Sequence, residues 1–226
     1  MKLYATDCER DFTPVVTALP GGLTVTWPAH LDGGATTHAQ DFMAVLATAG
    51  RKRYRHAFEW CAGMGLIGFE ALARGYCHRL TFSDYYDVAV SSCLTNASYN
   101  GISDRVRAHI SSTIAGLPQG DQFDLVLANP PHSPEEWHLT QFYKNTHNPL
   151  LQNSLRLTID QDYEIHREFF ANIAARLLPG ADLFISEVGE ESVFIDMAAQ
   201  GGLQHVFSHP HPNLPHGKIM QYRYEP

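Results

Sequence analysis

Cysteine, basic residues and long apolar runs are what this chain has least of, and each shortage narrows its class. Its four cysteines, Cys8, Cys61, Cys77 and Cys93, form no C-x-x-C pair, and the economical expectation is a cytoplasmic protein with reduced thiols. No stretch is apolar enough to span a bilayer and the N-terminus carries no run of signal-peptide type, so no membrane partner is expected. Lys and Arg number 16 against 24 Asp and Glu, a formal net charge of -8. A protein that holds a phosphate backbone usually carries a basic patch. The dense basic run here, Arg51-Lys52-Arg53-Tyr54-Arg55, reads as a solvated helix end leading into a strand. A small molecule or a protein side chain is therefore the expected partner; nucleic acid is disfavoured by charge without being excluded by it. Oligomeric state is not legible.

The 226 residues, 44% hydrophobic and 18% charged, suffice for one α/β domain with a sizeable core. Residues 1–50 read as an N-terminal extension: a strand at Leu23–Trp27, then a helix through Ala49 that Thr37 can cap. From Tyr54 the pattern alternates. Strands are expected at Ala57–Trp60, Arg79–Ser83, Arg105–Ile110, Phe123–Ala128 and Asp182–Glu187, with helices at Leu66–Arg74, Asp87–Ser98, Asp162–Leu178 and Ser192–Gln200. Leu203–Ser208 and Lys218–Tyr224 form a closing strand pair, and an irregular stretch at about 132–160 is expected to be a substrate loop. Residues 51–226 thus predict a mostly parallel, doubly wound sheet whose ligand sits beyond the C-terminal strand ends.

Two strand ends carry chemistry. After the first parallel strand comes Glu59-Trp60-Cys61-Ala62-Gly63-Met64-Gly65-Leu66-Ile67-Gly68. Gly63 and Gly65 permit a sharp turn and close approach of a ligand to a helix N-terminus; a plain tight turn is the bland alternative. Asp84, ending the second strand, can accept from both ribose hydroxyls of a nucleoside or cap the next helix, and one position serves both. The run also satisfies G-x-G-x-x-G, so nicotinamide redox chemistry is a competing reading. Glu59 argues against it, since a carboxylate there repels a pyrophosphate but can face a cationic amino-acid group.

The fourth strand runs into Asn129-Pro130-Pro131-His132. Two prolines hold Asn129 and Pro130 extended, so that the Asn129 side-chain oxygen and the nearby carbonyls can aim acceptors at one N–H group, orienting its nitrogen by positioning rather than by strong base.

These features resemble the class I S-adenosylmethionine-dependent methyltransferases over roughly residues 54–190. Asn-Pro-Pro-His is similar to the N/D-P-P-Y/F/W motif of the amino-methylating group, which includes the release-factor glutamine methyltransferases and enzymes that methylate exocyclic base amines. The resemblance implies a Rossmann-like, seven-stranded sheet with an antiparallel C-terminal strand and a short N-terminal β-hairpin and helix extension. It implies S-adenosyl-L-methionine as cofactor, bound by Glu59, Cys61, Gly63, Gly65, Asp84 and Asn129. Thr37 and Gln40 are placed to cover its methionine end, and Ser112 stands where many members carry an acid beside the adenine. Asn129, Pro130 and His132 are the expected catalytic residues, with His132 replacing the usual aromatic as a stacker or a base. Trp137, Tyr143, Tyr163, His166 and Glu187 are expected with His132 at the substrate. The histidines, His209, His211 and His216 among them, lie on proline-broken loops unsuited to a metal, and none is expected. N-methylation of a small molecule or protein side chain is the leading expectation. Base-amine methylation, a nicotinamide oxidoreductase and an inactive methyltransferase-like binding protein are the rivals; the release-factor enzymes' helical N-terminal domain has no room in some fifty residues.

Overall fold

The computed structural model describes residues 13–31, 35–49, 53–132, 159–212 and 217–226. Trp137 and Tyr143, with the rest of the substrate stretch up to residue 158, lie outside the described residues, as do Arg51, Lys52 and His216.

A small hairpin comes first. Strand β1 (Pro14–Ala18) pairs antiparallel with β2 (Thr24–Pro28), from Pro14 opposite Pro28 to Ala18 opposite Thr24. Helix α1 spans Ala35–Ala49, beginning before Thr37. Thr37 is therefore an exposed residue of the first turn rather than the N-cap that its hydroxyl suggested.

The main sheet is built from β3 (Tyr54–Trp60), β4 (Cys77–Asp84), β5 (Val106–Ile110), β6 (Phe123–Ala128), β7 (Leu177–Val188), β8 (Leu203–Pro210) and β9 (Gly217–Tyr224). Its order is β5-β4-β3-β6-β7-β9-β8, with β9 antiparallel to both neighbours and the first five strands parallel. The Rossmann-like, doubly wound architecture is thus the expected one. Helices α2 (Leu66–Ala73) and α3 (Asp87–Tyr99) join α1 on one face; α4 (Glu164–Ile173) and α5 (Glu191–Gln200) cover the other. Strand β6 shows why the sheet is central: Leu125 and Leu127 enter one core, Phe123, Val126 and Ala128 the other, and all are fully buried.

One helix is shorter than its apolar spacing implied. The pattern expected over Asp162–Leu178 gives α4 only to Ile173, followed by a 3-10 turn at Ala174–Arg176. Leu177 already pairs with Phe123, so sheet pairing takes the residues that periodicity assigned to the helix.

The hairpin is fastened to α3 by two asparagines one turn apart. Asn96 accepts from Thr26 N (2.9 Å) and donates to Thr26 O (2.8 Å); Asn100 does the same at Thr24 (2.8 Å each). Each amide pairs with a peptide group as a neighbouring strand would. Asn96→Leu leaves both Thr26 groups unpaired, and a stability loss of about 1–3 kcal/mol is expected in urea unfolding.

Candidate functional site

The strand order reverses at the β3–β6 boundary, and this is where chemistry-bearing residues collect. Beyond β3 the chain turns through Cys61 and Gly63, each with φ of 52°, and Gly65 with φ of 75°. A Cβ on Gly63 would point into open space, which leaves room for a ligand against the backbone; one on Gly65 would strike Phe82 at 2.7 Å, so that glycine is a packing requirement. Asp84, half-buried at the end of β4, holds this turn: it accepts from Gly63 N (2.8 Å) and Tyr86 N (2.9 Å). It therefore braces the glycine turn and opens α3 at once.

Glu59 differs from its expectation. It is 2% exposed, and its Oε2 accepts from Gly68 N of α2 at 2.7 Å. Burial pushes its carboxyl up to about 8, against the Gly68 hydrogen bond that favours the charged form and with the Asp84 charge adding to the rise. Its first partner is thus the start of α2 rather than an open ligand space. Ser112 is exposed just after β5, where Ser111 N donates to Asp84 O at 2.8 Å. Thr37 and Gln40 are exposed on the first turns of α1.

Beyond β6, Asn129 is half-buried, Pro130 buried and His132 half-buried. His132 Nε2 lies 3.2 Å from Asn129 Oδ1, and its Nδ1 lies 3.6 Å from Glu187 Oε2. Glu187 comes near the end of β7, adjacent to β6 in the sheet, and is 2% exposed.

His166 and Glu187, both expected to touch substrate, are instead bound to each other inside the protein. His166 has no exposed surface; its Nε2 is 3.1 Å from both Glu187 oxygens and its Nδ1 is 2.5 Å from Asp160 Oδ2. Burial opposes a charge on this ring, but the Glu187 charge and the hydrogen bonds from Asp160 and Glu187 outweigh it and raise the imidazole to about 9. Glu187 is likewise held below its ordinary value, its burial outweighed by His166 and by contact with His132. Trp60 stands edge-on to His166 and Tyr163 lies at a ring distance of 6.1 Å. Tyr163 itself is half-buried in a left-handed conformation at the start of α4.

Asp160, 1% exposed, is the residue that sequence reading missed. It also accepts from Ile165 N (2.8 Å) and His166 N (3.1 Å), capping α4. An acid just ahead of an apolar helical run is an N-terminus signal, but the cap lies farther from the helix than the usual spacing. Cys61 ties the two halves together: burial and the charges of Asp84, Asp160 and Glu187 all hold its thiol protonated.

A second imidazole pair lies nearby. His38 Nδ1 is 3.0 Å from His211 Nε2, and His211 Nδ1 is 3.1 Å from Asp41 Oδ2, linking α1 to the end of β8. Burial lowers both imidazoles, reinforced at His38 by the His211 and His132 charges. Among the described residues no group of three or more His, Cys, Asp or Glu side chains could hold a metal ion, and no helix is long and apolar enough to cross a membrane.

A parallel sheet of this order, with a glycine turn after β3 and an acid ending β4, defines the class: the chain has a methyltransferase-type Rossmann fold. It is similar to a ribosomal protein L11 methylase from Lactobacillus delbrueckii subsp. bulgaricus, with a TM-score of 0.61 and 15% identity over 86% of this chain and 82% of that one. It is also similar to a methyltransferase from Pyrococcus furiosus (TM-score 0.58, 14% identity, 83% of each chain) and to TrmN from Thermus thermophilus (TM-score 0.56, 15% identity, 81% of this chain and 48% of that one). The chain belongs to the family described as Conserved hypothetical protein 95, whose model matches residues 43–173, more than half its length. Among curated protein sequences there is no match.

Proposed function

We propose that this protein is an S-adenosylmethionine-dependent N-methyltransferase whose acceptor is a nitrogen of a small molecule or a protein side chain. The observation that carries the reading is the position of Asn129 and Pro130. They leave the central strand β6 beside the open turn at Gly63, with Asn129 hydrogen-bonded to His132. The cofactor supplies an activated methyl group on a sulfonium. The residues that would hold it are Asp84 at the ribose, Gly63 and Gly65 along the backbone, Cys61 and Ser112 around them, and Thr37 and Gln40 from α1, with buried Glu59 holding the start of α2 behind the turn. Asn129 Oδ1 and the Pro130 carbonyl accept N–H groups of the substrate, fixing its nitrogen lone pair in line with the methyl group.

The nicotinamide alternative fares worse, because Glu59 already occupies the Gly68 N–H at the start of α2, where a pyrophosphate would need that donor. Base-amine methylation keeps the same chemistry but has the net charge of -8 against it.

The test is calorimetric titration with S-adenosylmethionine and with NADH, followed by transfer of label from S-[methyl-3H]adenosylmethionine into low-mass, protein and RNA fractions of a cell extract. Binding of NADH alone would overturn the reading, as would label entering only RNA. Asp84→Ala removes charge-assisted hydrogen bonds and loosens the Gly63 turn. A 10- to 100-fold weaker affinity for S-adenosylmethionine is expected, on the order of 1.5–3 kcal/mol.

A further inference from the structure

A chain of acid and imidazole groups runs from the core to Asn129, and holding a neutral nitrogen does not require it. Asp160, His166, Glu187 and His132 follow one another through contacts of 2.5, 3.1 and 3.6 Å, and His132 reaches Asn129 at 3.2 Å. Asp160, His166 and Glu187 are at most 2% exposed. Two carboxylates share one imidazolium there, so one negative charge is left over in a medium that screens it poorly, and it faces His132. His132 also interacts electrostatically with His38 of α1 and with His211 beyond β8; burial disfavours a charge on both, while Asp41, 3.1 Å from His211, acts in the opposite sense.

The surroundings of the His132 ring point the same way, although only the Asn129 contact is within hydrogen-bond distance and the Glu187 carboxylate stands 3.6 Å from Nδ1. Both of its ring nitrogens face oxygen atoms, Nε2 toward Asn129 and Nδ1 toward Glu187. A neutral imidazole carries one N–H, so one of these approaches would set lone pair against lone pair. In the neutral tautomer with Nδ1–H directed at Glu187, the basic lone pair is on Nε2, beside the amide that positions the acceptor.

Resting on the N-methylation reading above, we propose that His132 is the catalytic base of this site, oriented and driven by the buried Asp160–His166–Glu187 relay, and that the acceptor is an aliphatic amine that arrives as an ammonium ion. An N–H bond of the ammonium breaks and its proton moves to His132 Nε2, where Glu187 offsets the new charge. The lone pair left on nitrogen forms the bond to the methyl carbon while the carbon–sulfur electrons stay on sulfur, giving a methylated ammonium and a neutral thioether. His132 returns its proton to water. A carboxamide or an aniline carries no such proton at neutral pH, so a built relay selects for the more basic amine.

Protein labelled with [15N]histidine and saturated with S-adenosylhomocysteine is titrated from about pH 5 to pH 10. The His132 signal is assigned by its loss in His132→Phe. In Glu187→Gln that signal is expected to respond, because the carboxylate 3.6 Å from Nδ1 has lost its charge. Transfer from S-[methyl-3H]adenosylmethionine to a set of aliphatic amines is expected to fall about 100-fold in His132→Phe at neutral pH, the deficit narrowing as pH approaches the amine's own pKa. Binding of S-adenosylhomocysteine stays unchanged in both variants. An unshifted His132 titration in Glu187→Gln, or full transfer by His132→Phe, overturns the relay. Transfer confined to anilines and carboxamides overturns the acceptor class. Failure of the unaltered protein to bind S-adenosylhomocysteine overturns the methyltransferase reading instead.

Discussion

His166→Leu is expected to destabilise the protein by about 3–5 kcal/mol near neutral pH, more than any other single change at the site, because it leaves two buried carboxylates without their cation. Asp160 and Glu187 both lie against His166, at 2.5 and 3.1 Å, with almost no surface of their own. The loss carries a pH signature. The folded imidazole is raised to about 9 from an ordinary 6.5, so the folded state binds the proton more tightly than the unfolded chain. The stabilisation is complete below pH 6.5 and disappears as pH rises through 9. At about 1.4 kcal/mol per pH unit this amounts to roughly 3 kcal/mol. Glu59, raised to about 8, also makes stability fall with rising pH, between about 4.5 and 8. It is common to both proteins and cancels in the difference between their urea-unfolding curves, which leaves the His166 cation and the two carboxylates it holds. That difference should be largest at pH 6 and shrink toward pH 10, where the unaltered ring is neutral as well. A gap that does not change with pH would show that His166 contributes packing against Trp60 and Phe194 rather than charge.

The parts of this molecule that were legible in its sequence are those written in neighbouring residues. Phe123–Ala128 is apolar except at Asp124 and forms β6 with the expected bounds, because a central parallel strand is buried on both faces. The glycine turn, Asp84 and Asn-Pro-Pro-His each lie within a few residues of a strand end, so their place on the sheet follows once the strands are known. The relay was not legible as a relay. Asp160 meets His166 locally as the cap of α4, but Glu187 on β7 meets His166 only because α4 packs against the sheet. Their places at a helix start and a strand end assigned His166 and Glu187 to the substrate; in the fold they are buried against each other. The length of α4 misled for a similar reason. Apolar spacing continues to Leu177, yet that residue opens β7 and pairs with Phe123 of β6, a contact more than fifty residues distant that local periodicity does not encode.

Asn129→Ala is expected to reduce methyl transfer at least about 100-fold while changing the affinity for S-adenosylmethionine only a few-fold. Removing one preorganised hydrogen-bonding group from the reacting centre typically costs 100- to 1,000-fold in rate. The backbone around Asn129 is held by Pro130 and Pro131 and by the β6–β7 register, where Ala128 pairs with Ile185, so the truncation does not collapse the loop. Nor does it reach the turn at Gly63, which Asp84 braces independently. The rate loss should therefore fall on turnover rather than on cofactor binding. Asn129→Asp sharpens the test, because it keeps an acceptor oxygen in place and is expected to retain far more activity than alanine. It also sets a carboxylate beside His132 Nε2 in addition to Glu187 at Nδ1. If Asn129→Ala turned over at the parent rate, the acceptor nitrogen would have to be held elsewhere, and the contact between Asn129 and His132 would be a packing detail of the loop after β6.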